Sequence, residues 1–535
     1  MSRAPPTAWY QRRALAYQQS LSWNVCLSTP PAGNNTQTLA RNVFWYGLEL
    51  FFGIVGAFVV SVIVARAVGP VRLGPFNYIM WLTNITAAVG SFGLPITTRK
   101  YMAEHLNRGE TGVAHAIYRF SLRIQTCVSA TIFLLSIGLI YTVGDPGYRL
   151  ISVLLALNMA PRMIGFIPSQ ANNAAEMMRW NTAPALIGGV LNIVLTLFSI
   201  WVGWDLVGVA CSVTAGAVVE TVLKLRTVER WLGPSPVDPI SPPLKRRLFS
   251  YSGQGVVLML LNIVVWDRSD LFILRYIDSD VRQIAFFTLA FNLTDRMLKL
   301  PEAFGQALSV TMMAQYGRGR DALPRLTELG AKYAFLLGTP LLIGVGCLSL
   351  PVVSTLYGPL YRPLVPILTA AAFLAIPRGL MAPATALLQA TEKQGFLIWT
   401  GCVCGALDIG LDFLLIPKHG AFGAILANGI AQTAAVLALW ARIHRLYPMG
   451  GLFRSLARIA VSGAAMAGVV VWLARTIPGI AGIAASVAAG GVVWFVLLRL
   501  TGALDRTDRE RFRSAVKSCP RPLRPVADRV IALIA

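Results

Sequence analysis

Apolar stretches of about 20 residues recur along the chain from Val43 onward, separated by short polar segments. A helix of that length crosses a hydrocarbon core of about 30 Å. The strands of a membrane barrel would instead alternate polar and apolar residues over about 10 positions, and this pattern is absent. The pattern predicts an all-α, polytopic membrane bundle of about 14 transmembrane helices. The predicted spans are residues 43–64, 76–98, 119–143, 150–171, 183–203, 205–225, 250–274, 284–314, 332–356, 364–388, 396–416, 420–441, 457–475 and 479–499.

The polar connections alternate in their content of basic residues. One set is rich in them, including Arg99, Lys100, Lys245, Arg246, Arg247, Arg442 and Arg445. The opposite set has few. The positive-inside rule therefore predicts a multi-pass protein of the bacterial inner (cytoplasmic) membrane with both termini in the cytoplasm, and an even number of spans agrees. The net charge of +23 would suggest nucleic-acid binding in a soluble protein, but cytoplasmic loops account for it here, so we expect no nucleic-acid partner.

The two parts of the chain on either side of a Pro-rich segment resemble each other. Pro161-Arg162 and Pro377-Arg378 lie 216 residues apart, as do Gly189 and Gly405. A constant offset predicts two pseudo-symmetric six-helix lobes with a substrate site between them. The predicted organisation is a disordered cytoplasmic tail (1–41), an N-lobe (42–226), a cytoplasmic linker (227–248), a C-lobe (249–445), two extra C-terminal helices (446–500) and a basic cytoplasmic tail (501–535).

Charged residues occur inside the spans between Ser250 and Gln315. A charge at bilayer depth costs about 2.5–3.5 kcal/mol on insertion scales, so such residues face a bundle interior or a wet cavity. In the second of these spans the polar residues are spaced by three or four positions, which places them on one helix face. We interpret this face as the wall of a polar cavity. The candidate substrate-binding residues are Arg296, Lys299, Arg268, Asn292 and Glu49.

Acidic residues in the spans admit two readings, because they either neutralise these cations or bind a coupling ion, Na⁺ or H⁺. Asp408 and Asp412 are spaced i, i+4 and share a face. The candidate ion-coupling residues are Asp267, Asp270, Asp295, Asp408 and Asp412. Apart from this possible coupling cation we expect no cofactor and no metal site, because the seven cysteines and four histidines are scattered and show no zinc-binding spacing.

Two further features concern the helix backbone. Arg162 and Arg378 each follow a proline, and their repetition in both lobes favours a structural role. The segment Gly90 to Pro95 interrupts the second span, which indicates either a hinge beside the cavity or simple close packing.

The stretch VARAVGPVRLGPFNYIMWLTNITAAVGSFGLPITTRKYMAEHLNRGE resembles the N-terminal signature of bacterial polysaccharide-export membrane proteins. These are lipid-linked oligosaccharide flippases of the multidrug/oligosaccharidyl-lipid/polysaccharide (MOP) superfamily. The residues that carry the resemblance are Gly69-Pro70, Leu73-Gly74-Pro75-Phe76, Gly93-Leu94-Pro95, Arg99 and Tyr101, and it extends over about residues 43–500. The resemblance implies a V-shaped cavity, lined by cationic side chains, that carries an undecaprenyl-diphosphate-linked glycan between leaflets. Arg296, Lys299 and Arg268 are in position to serve as those cations.

A flippase of this kind would have a lipid-linked glycan as substrate, membrane lipids around it, and a glycan polymerase or ligase as its expected protein partner. The alternative is a Na⁺- or H⁺-coupled drug or metabolite antiporter of the same superfamily. A membrane enzyme is disfavoured, because no external loop is large enough for a catalytic domain and no nucleophile–base pair or phosphate-binding motif occurs.

Overall fold

The computed structural model describes residues 35–233, 238–266, 269–278, 280–316, 323–391, 393–447, 450–504 and 508, and the regular structure in these ranges is helical. The helices are α1 (Asn35–Val68), α2 (Pro70–Gly90), α3 (Leu94–Asn107), α4 (Thr111–Thr142), α5 (Arg149–Ala174), α6 (Arg179–Val202), α7 (Asp205–Leu232), α8 (Pro242–Trp266), α9 (Asp270–Ile277), α10 (Arg282–Tyr316), α11 (Leu323–Cys347), α12 (Leu364–Leu374), α13 (Met381–Ala390), α14 (Gln394–Leu446), α15 (Leu452–Thr476) and α16 (Gly479–Leu500). Short helical segments also occur, among them Ser349–Val352 and Val353–Tyr357. Each predicted span falls on one helix or on a broken pair, except that 332–356 continues beyond α11 into these two short segments. The predicted tail before residue 35, part of the linker and most of the basic tail lie outside the described residues.

Ten helices of the described chain are long and apolar enough to cross a membrane, or 11 if the bent pair α2–α3 is one span. The number of candidate membrane-spanning helices is lower than the predicted 14 for physical reasons. The 53-residue α14 contains both predicted spans 396–416 and 420–441, because only Gly420, with φ 52° and ψ −131°, breaks its helical geometry. The predicted span 250–274 is divided between α8 and α9, and α10 carries charged residues along its length.

The break between α2 and α3 bends the pair by 42°. Gly93 sits at the break with φ +66°, a left-handed conformation that favours glycine. A Cβ atom there would lie 2.6 Å from the carbonyl oxygen of Ser252 in α8. The interruption predicted from Gly90 to Pro95 is therefore a bend and also a point of close backbone packing.

The helices pack in two groups. Helices α1 to α7 contact mainly one another, and α9 to α14 do the same, while α15 and α16 pack together and against α11. Contacts between the groups involve α2 with α10 and α3 with α8. The predicted lobe boundaries are compatible with this grouping and remain a prediction.

The chain after α16 is tied to the second group. Lys332 Nζ in α11 lies 2.5 Å from Asp508 Oδ2, and the Tyr333 hydroxyl donates a hydrogen bond of 2.6 Å to Asp508 Oδ1. Lys332 and Asp508 are both buried. Ala503 and Leu504 are buried in the same apolar cluster as Ile459 and Trp494. The first residues of the predicted C-terminal tail are therefore part of the bundle.

An apolar core closes the two groups against each other at one end of the bundle, the end predicted to be external. We call this region the closed end and define it by Ala65, Gly74, Asn77, Thr288 and Tyr361. The Tyr361 hydroxyl donates to the carbonyl oxygen of Ala65 at 2.8 Å, and Asn77 Nδ2 donates to Thr288 Oγ1 at 2.8 Å. The surrounding side chains form the largest buried apolar cluster of the described chain.

Gly74 permits this closure, because a Cβ atom at this position would collide with the carbonyl oxygen of Val281 in the other group. Gly74→Ala should weaken the closed end by the cost of overpacking, about 1–3 kcal/mol, which corresponds to about a 5- to 150-fold shift between closed and open forms. To measure this shift, Thr288 is replaced by cysteine in a variant that has no other cysteine. The rate at which a membrane-impermeant maleimide labels this cysteine is then determined. The matched control is Gly138→Ala in α4, where a Cβ atom would meet nothing within 4 Å. Equal labelling in both variants would contradict this account of the closed end.

Candidate functional site

Three buried aspartates from two helices meet in the second group. Asp270 opens α9, and Asp408 and Asp412 lie in α14. One carboxylate oxygen of each lies within 4.8 Å of the other two. Asn428, beyond the bend of α14 at Gly420, donates hydrogen bonds to Asp270 at 3.2 Å and to Asp408 at 3.5 Å. The bend therefore folds both parts of α14 around one acidic group, which we call the aspartate cluster (Asp270, Asp408 and Asp412).

The carboxylate oxygens of this cluster suit a small cation or a proton. Within the described part of the chain, no N–H or O–H group donates to Asp270 Oδ1, Asp408 Oδ1 or either carboxylate oxygen of Asp412, but the carboxyl groups of Asp270 and Asp412 lie within hydrogen-bonding reach of each other and can share a proton. Buried carboxylates without partners are costly, so such groups bind a cation or are neutralised by protonation. Carboxylate oxygens are the ligands that hard cations prefer. Three of the five predicted ion-coupling residues are thus brought together.

The other two predicted ion-coupling residues do not join the aspartate cluster. Asp267 lies outside the described residues. Asp295 lies in α10 and forms an ion pair of 3.2 Å with Arg378, a residue that precedes α13. The sequence left two roles open for this carboxylate, binding of a coupling ion and neutralisation of nearby cations. Its geometry corresponds to the second.

Asp295 belongs to a network of two cations and two anions, which we call the ion-pair network (Asp295, Lys299, Glu302 and Arg378). Lys299 Nζ lies 3.2 Å from Asp295 and 3.0 Å from Glu302, as the spacing along one helix face predicts. Arg378 also approaches Glu302 at 3.8 Å. The side chains of Lys299 and Glu302 are 37% and 38% exposed, so the network borders open space on one side. Lys299 and Arg378 thus both lie near the two carboxylates. The spacing along α10 predicts this for Lys299, but it could not predict it for Arg378, which lies in another segment.

The remaining predicted substrate-binding residues lie in two different places. Asn292 and Arg296 are half-buried on α10, and Arg296 interacts electrostatically with Tyr357. Arg268 lies outside the described residues. Glu49 is in α1, within the first group, where it accepts a hydrogen bond of 3.3 Å from Thr182 Oγ1. The five residues therefore do not form one constellation in the described part of the chain.

The first group contains its own polar cavity of about 430 Å³, between α2, α5, α6 and α7. Arg162 lines it and donates a hydrogen bond to Asn84. Glu220 and Lys224 line it as well and form an ion pair of 2.6 Å. We call this space the N-half cavity.

The sequence favours a structural role for Arg162, and the structure adds that this residue faces a cavity. Its side chain is exposed, although it lies inside the predicted span 150–171, because it opens into the N-half cavity. Arg378, its counterpart 216 residues later, joins the partly exposed ion-pair network. The signal that points to both positions is the repeated Pro-Arg pair.

Solved structures share this fold over most of the chain. One is a lipid II flippase MurJ in an inward closed conformation, with a TM-score of 0.68 and 14% identity, covering 86% of this chain and 98% of that chain. Another is an inward-facing multidrug resistance MATE family transporter of the MOP superfamily, with a TM-score of 0.60 and 16% identity, covering 74% and 94%. A third is a MOP superfamily transporter from Pyrococcus furiosus, with a TM-score of 0.57 and 16% identity, covering 77% and 96%. At these identities the likeness establishes the fold.

Two groups of helices, ten of them long and apolar enough to cross a membrane in the described part of the chain, define a multi-pass membrane protein whose fold is shared with transporters of the MOP superfamily. Residues 39–315, just over half of the chain, match the family described as polysaccharide biosynthesis protein, so the chain belongs to that family. No curated protein matches the sequence closely.

Proposed function

We propose that this protein flips an undecaprenyl-diphosphate-linked oligosaccharide, a precursor of a polysaccharide or lipopolysaccharide, from the inner to the outer leaflet of the cytoplasmic membrane. It does so by alternating access and without catalysing a reaction on the glycan. Family membership supports a role in polysaccharide biosynthesis. The solved structure with a TM-score of 0.68 is named as a lipid II flippase. A glycan polymerase or ligase would then use the product on the far side.

The observation that carries the proposal is the pair of matched arginines, one in each group, beside open polar space. Arg162 lines the N-half cavity, and Arg378 belongs to the ion-pair network with Lys299. Guanidinium groups supply forked donors that suit phosphate oxygens. A diphosphate between the groups would compete with the carboxylates of the network for these donors, so binding and release become linked to rearrangement of ion pairs.

The aspartate cluster supplies the coupling step of the proposal. Loading of its carboxylates by Na⁺ or H⁺ changes the charge inside the second group and thereby the relative stability of its two orientations. No other cofactor is part of the proposal.

The second candidate is a drug or metabolite antiporter coupled to Na⁺ or H⁺. It is favoured by the aspartate cluster and by the similarity to a multidrug resistance MATE family transporter. Family membership favours the flippase, because the matched family is that of polysaccharide biosynthesis proteins.

The test uses the purified full-length protein in liposomes that carry a fluorescent undecaprenyl-diphosphate-linked oligosaccharide. We expect labelled lipid to become accessible to a membrane-impermeant quencher from the opposite leaflet, faster than in protein-free liposomes. A parallel set of liposomes measures the uptake of a cationic dye against a Na⁺ or H⁺ gradient. Dye transport without any flipping of the glycan lipid would overturn the proposal in favour of the antiporter.

A further inference from the structure

A second open space lies far from the residues discussed above, at the end of the bundle predicted to be cytoplasmic. It measures about 670 Å³ and is lined by Tyr101 of α3 and by the first two turns of α8, including Arg246, Arg247 and Tyr251. Leu244 and Leu248 at the start of α8 are buried in the same apolar cluster as Leu94 and Tyr101, so this cavity lies where α8 packs on the first group of helices. We call it the α3–α8 cavity.

Aromatic rings organise the basic residues around it. Tyr101 and Tyr251 meet edge to face with ring centroids 6.0 Å apart. Lys100 Nζ lies 3.8 Å from the centre of the Tyr251 ring, and the Arg247 guanidinium lies 5.4 Å from that of Tyr101. Cation–π contacts of this kind hold a side chain in place without neutralising its charge. The cations at this cavity are therefore positioned, and their charge remains available to a ligand.

Among the residues that the structure describes, the lining contains no acidic side chain. Besides the tyrosines and arginines it consists of Pro242, Pro243 and Ser250. The nearest carboxylate along α3 is that of Glu104, which pairs with Arg108 at 2.8 Å. This distinguishes the α3–α8 cavity from the ion-pair network and the N-half cavity, whose cations lie beside carboxylates.

The surroundings favour a ligand attached to lipid. Phe249, one residue before the lining Ser250, is 56% exposed and contacts Phe120 of α4 edge to face. An exposed phenylalanine next to basic residues suits the membrane–water interface, where apolar side chains enter the edge of the bilayer and basic ones meet its headgroups. An anionic headgroup in the adjacent leaflet could thus reach the arginines while its acyl chains stay in the bilayer.

We propose that the α3–α8 cavity is a binding site for the phosphate group of an anionic phospholipid, held by Arg246 and Arg247 with Lys100 beside them. A ligand there touches α3 and the start of α8 and stabilises their contact. The site is separate from the substrate path and does not depend on which molecule the protein transports. It makes lipid composition a regulator of how firmly α8 is held against the first group.

The test measures lipid retained by the purified full-length protein in nanodiscs of phosphatidylglycerol mixed with phosphatidylcholine, by native mass spectrometry. The double variant Arg246→Gln/Arg247→Gln should retain about tenfold less phosphatidylglycerol, because it loses two charge-assisted contacts to phosphate. The matched control is Lys245→Gln, which removes the neighbouring exposed charge without altering the lining. Equal loss in the control, or no loss in the double variant, would overturn the site.

A second arm identifies the source of the phosphate group. Thermal unfolding of the protein in phosphatidylcholine nanodiscs is followed with and without inorganic phosphate, and compared with nanodiscs that contain phosphatidylglycerol. Stabilisation by the lipid alone, lost in the double variant, supports the headgroup assignment. Stabilisation by inorganic phosphate alone, lost in the same variant, supports the phosphate site and overturns its assignment to a lipid. The flipping assay is independent of both readouts, so failure here and failure of the proposed transport are distinguishable.

Discussion

Replacing Lys299 by glutamine is expected to reduce flipping of the lipid-linked glycan by about 10- to 100-fold, the loss of one charge-assisted hydrogen bond to phosphate. Lys299 is the partly exposed cation of the ion-pair network, with Asp295 and Glu302 on either side. Without it the two carboxylates share Arg378, and the surface offered to a diphosphate becomes less positive. Arg296→Ala should have a similar effect, because Arg296 occupies the preceding turn of the same helix. The measurement is the quencher assay in liposomes, together with export of glycan in a flippase-deficient strain.

The matched control is Lys418→Gln, which removes an exposed lysine of α14 outside the network. It should flip the glycan lipid at the rate of the unchanged protein. Lys299→Arg should recover part of the activity, because it keeps the charge with a different donor geometry. All variants should be present in the membrane at equal levels. Full export by both Lys299→Gln and Arg296→Ala would remove the network from the substrate path.

Replacing Asp412 by asparagine should abolish the response of the protein to its coupling cation. Asp412 contributes two buried carboxylate oxygens to which no N–H or O–H group donates in the described part of the chain, and it lies beside the carboxyl groups of Asp270 and Asp408, so a bound cation would relieve the repulsion among them. For the unchanged protein, a cation at about 100 times its dissociation constant adds about 2.7 kcal/mol to the free energy of unfolding. The variant should lose most of this gain. It should also flip the glycan lipid at a rate that no longer depends on the cation gradient.

The measurement is thermal unfolding in Na⁺ and in a bulky organic cation, each over a range of pH. A response to Na⁺ at constant pH identifies sodium, and a response to pH alone identifies the proton. Asp145→Asn serves as control, because Asp145 is exposed in the turn before α5 and bonds only the nearby Gly147 amide at 2.9 Å. A variant Asp412→Asn that keeps the full cation response would contradict the assignment of the aspartate cluster.

The positions of the helices could be predicted because the apolar period of a membrane span is a local property of the sequence. The predicted spans 150–171 and 205–225 lie within α5 and α7, for example. The same is true of contacts within one helix, such as that of Lys299 with Asp295. The duplicated Pro-Arg pair also identified two positions that the structure places beside polar space.

Contacts between distant segments could not be predicted in this way. Asp270 and Asp412 are far apart in the sequence and meet only because α9 packs on α14, and Asn428 reaches Asp270 because α14 bends at Gly420. Glu49 is a candidate substrate-binding residue like Arg296 and Lys299 of α10, and the sequence could not show that it bonds Thr182 in the first group, because the surroundings of a charge depend on which helices become neighbours. The pairing of Arg378 with Asp295 likewise depends on tertiary packing.

The bond between Asp508 and α11 has a consequence for how the molecule moves. Because Lys332 and Tyr333 hold the chain beyond α16, the C-terminal hairpin of α15 and α16 is fastened at its far end as well as by its packing on α11. A hairpin fixed twice to one helix cannot swing separately from it. During a transport cycle it must travel with the second group as a single body, which enlarges the part of the protein that pushes against the surrounding lipid.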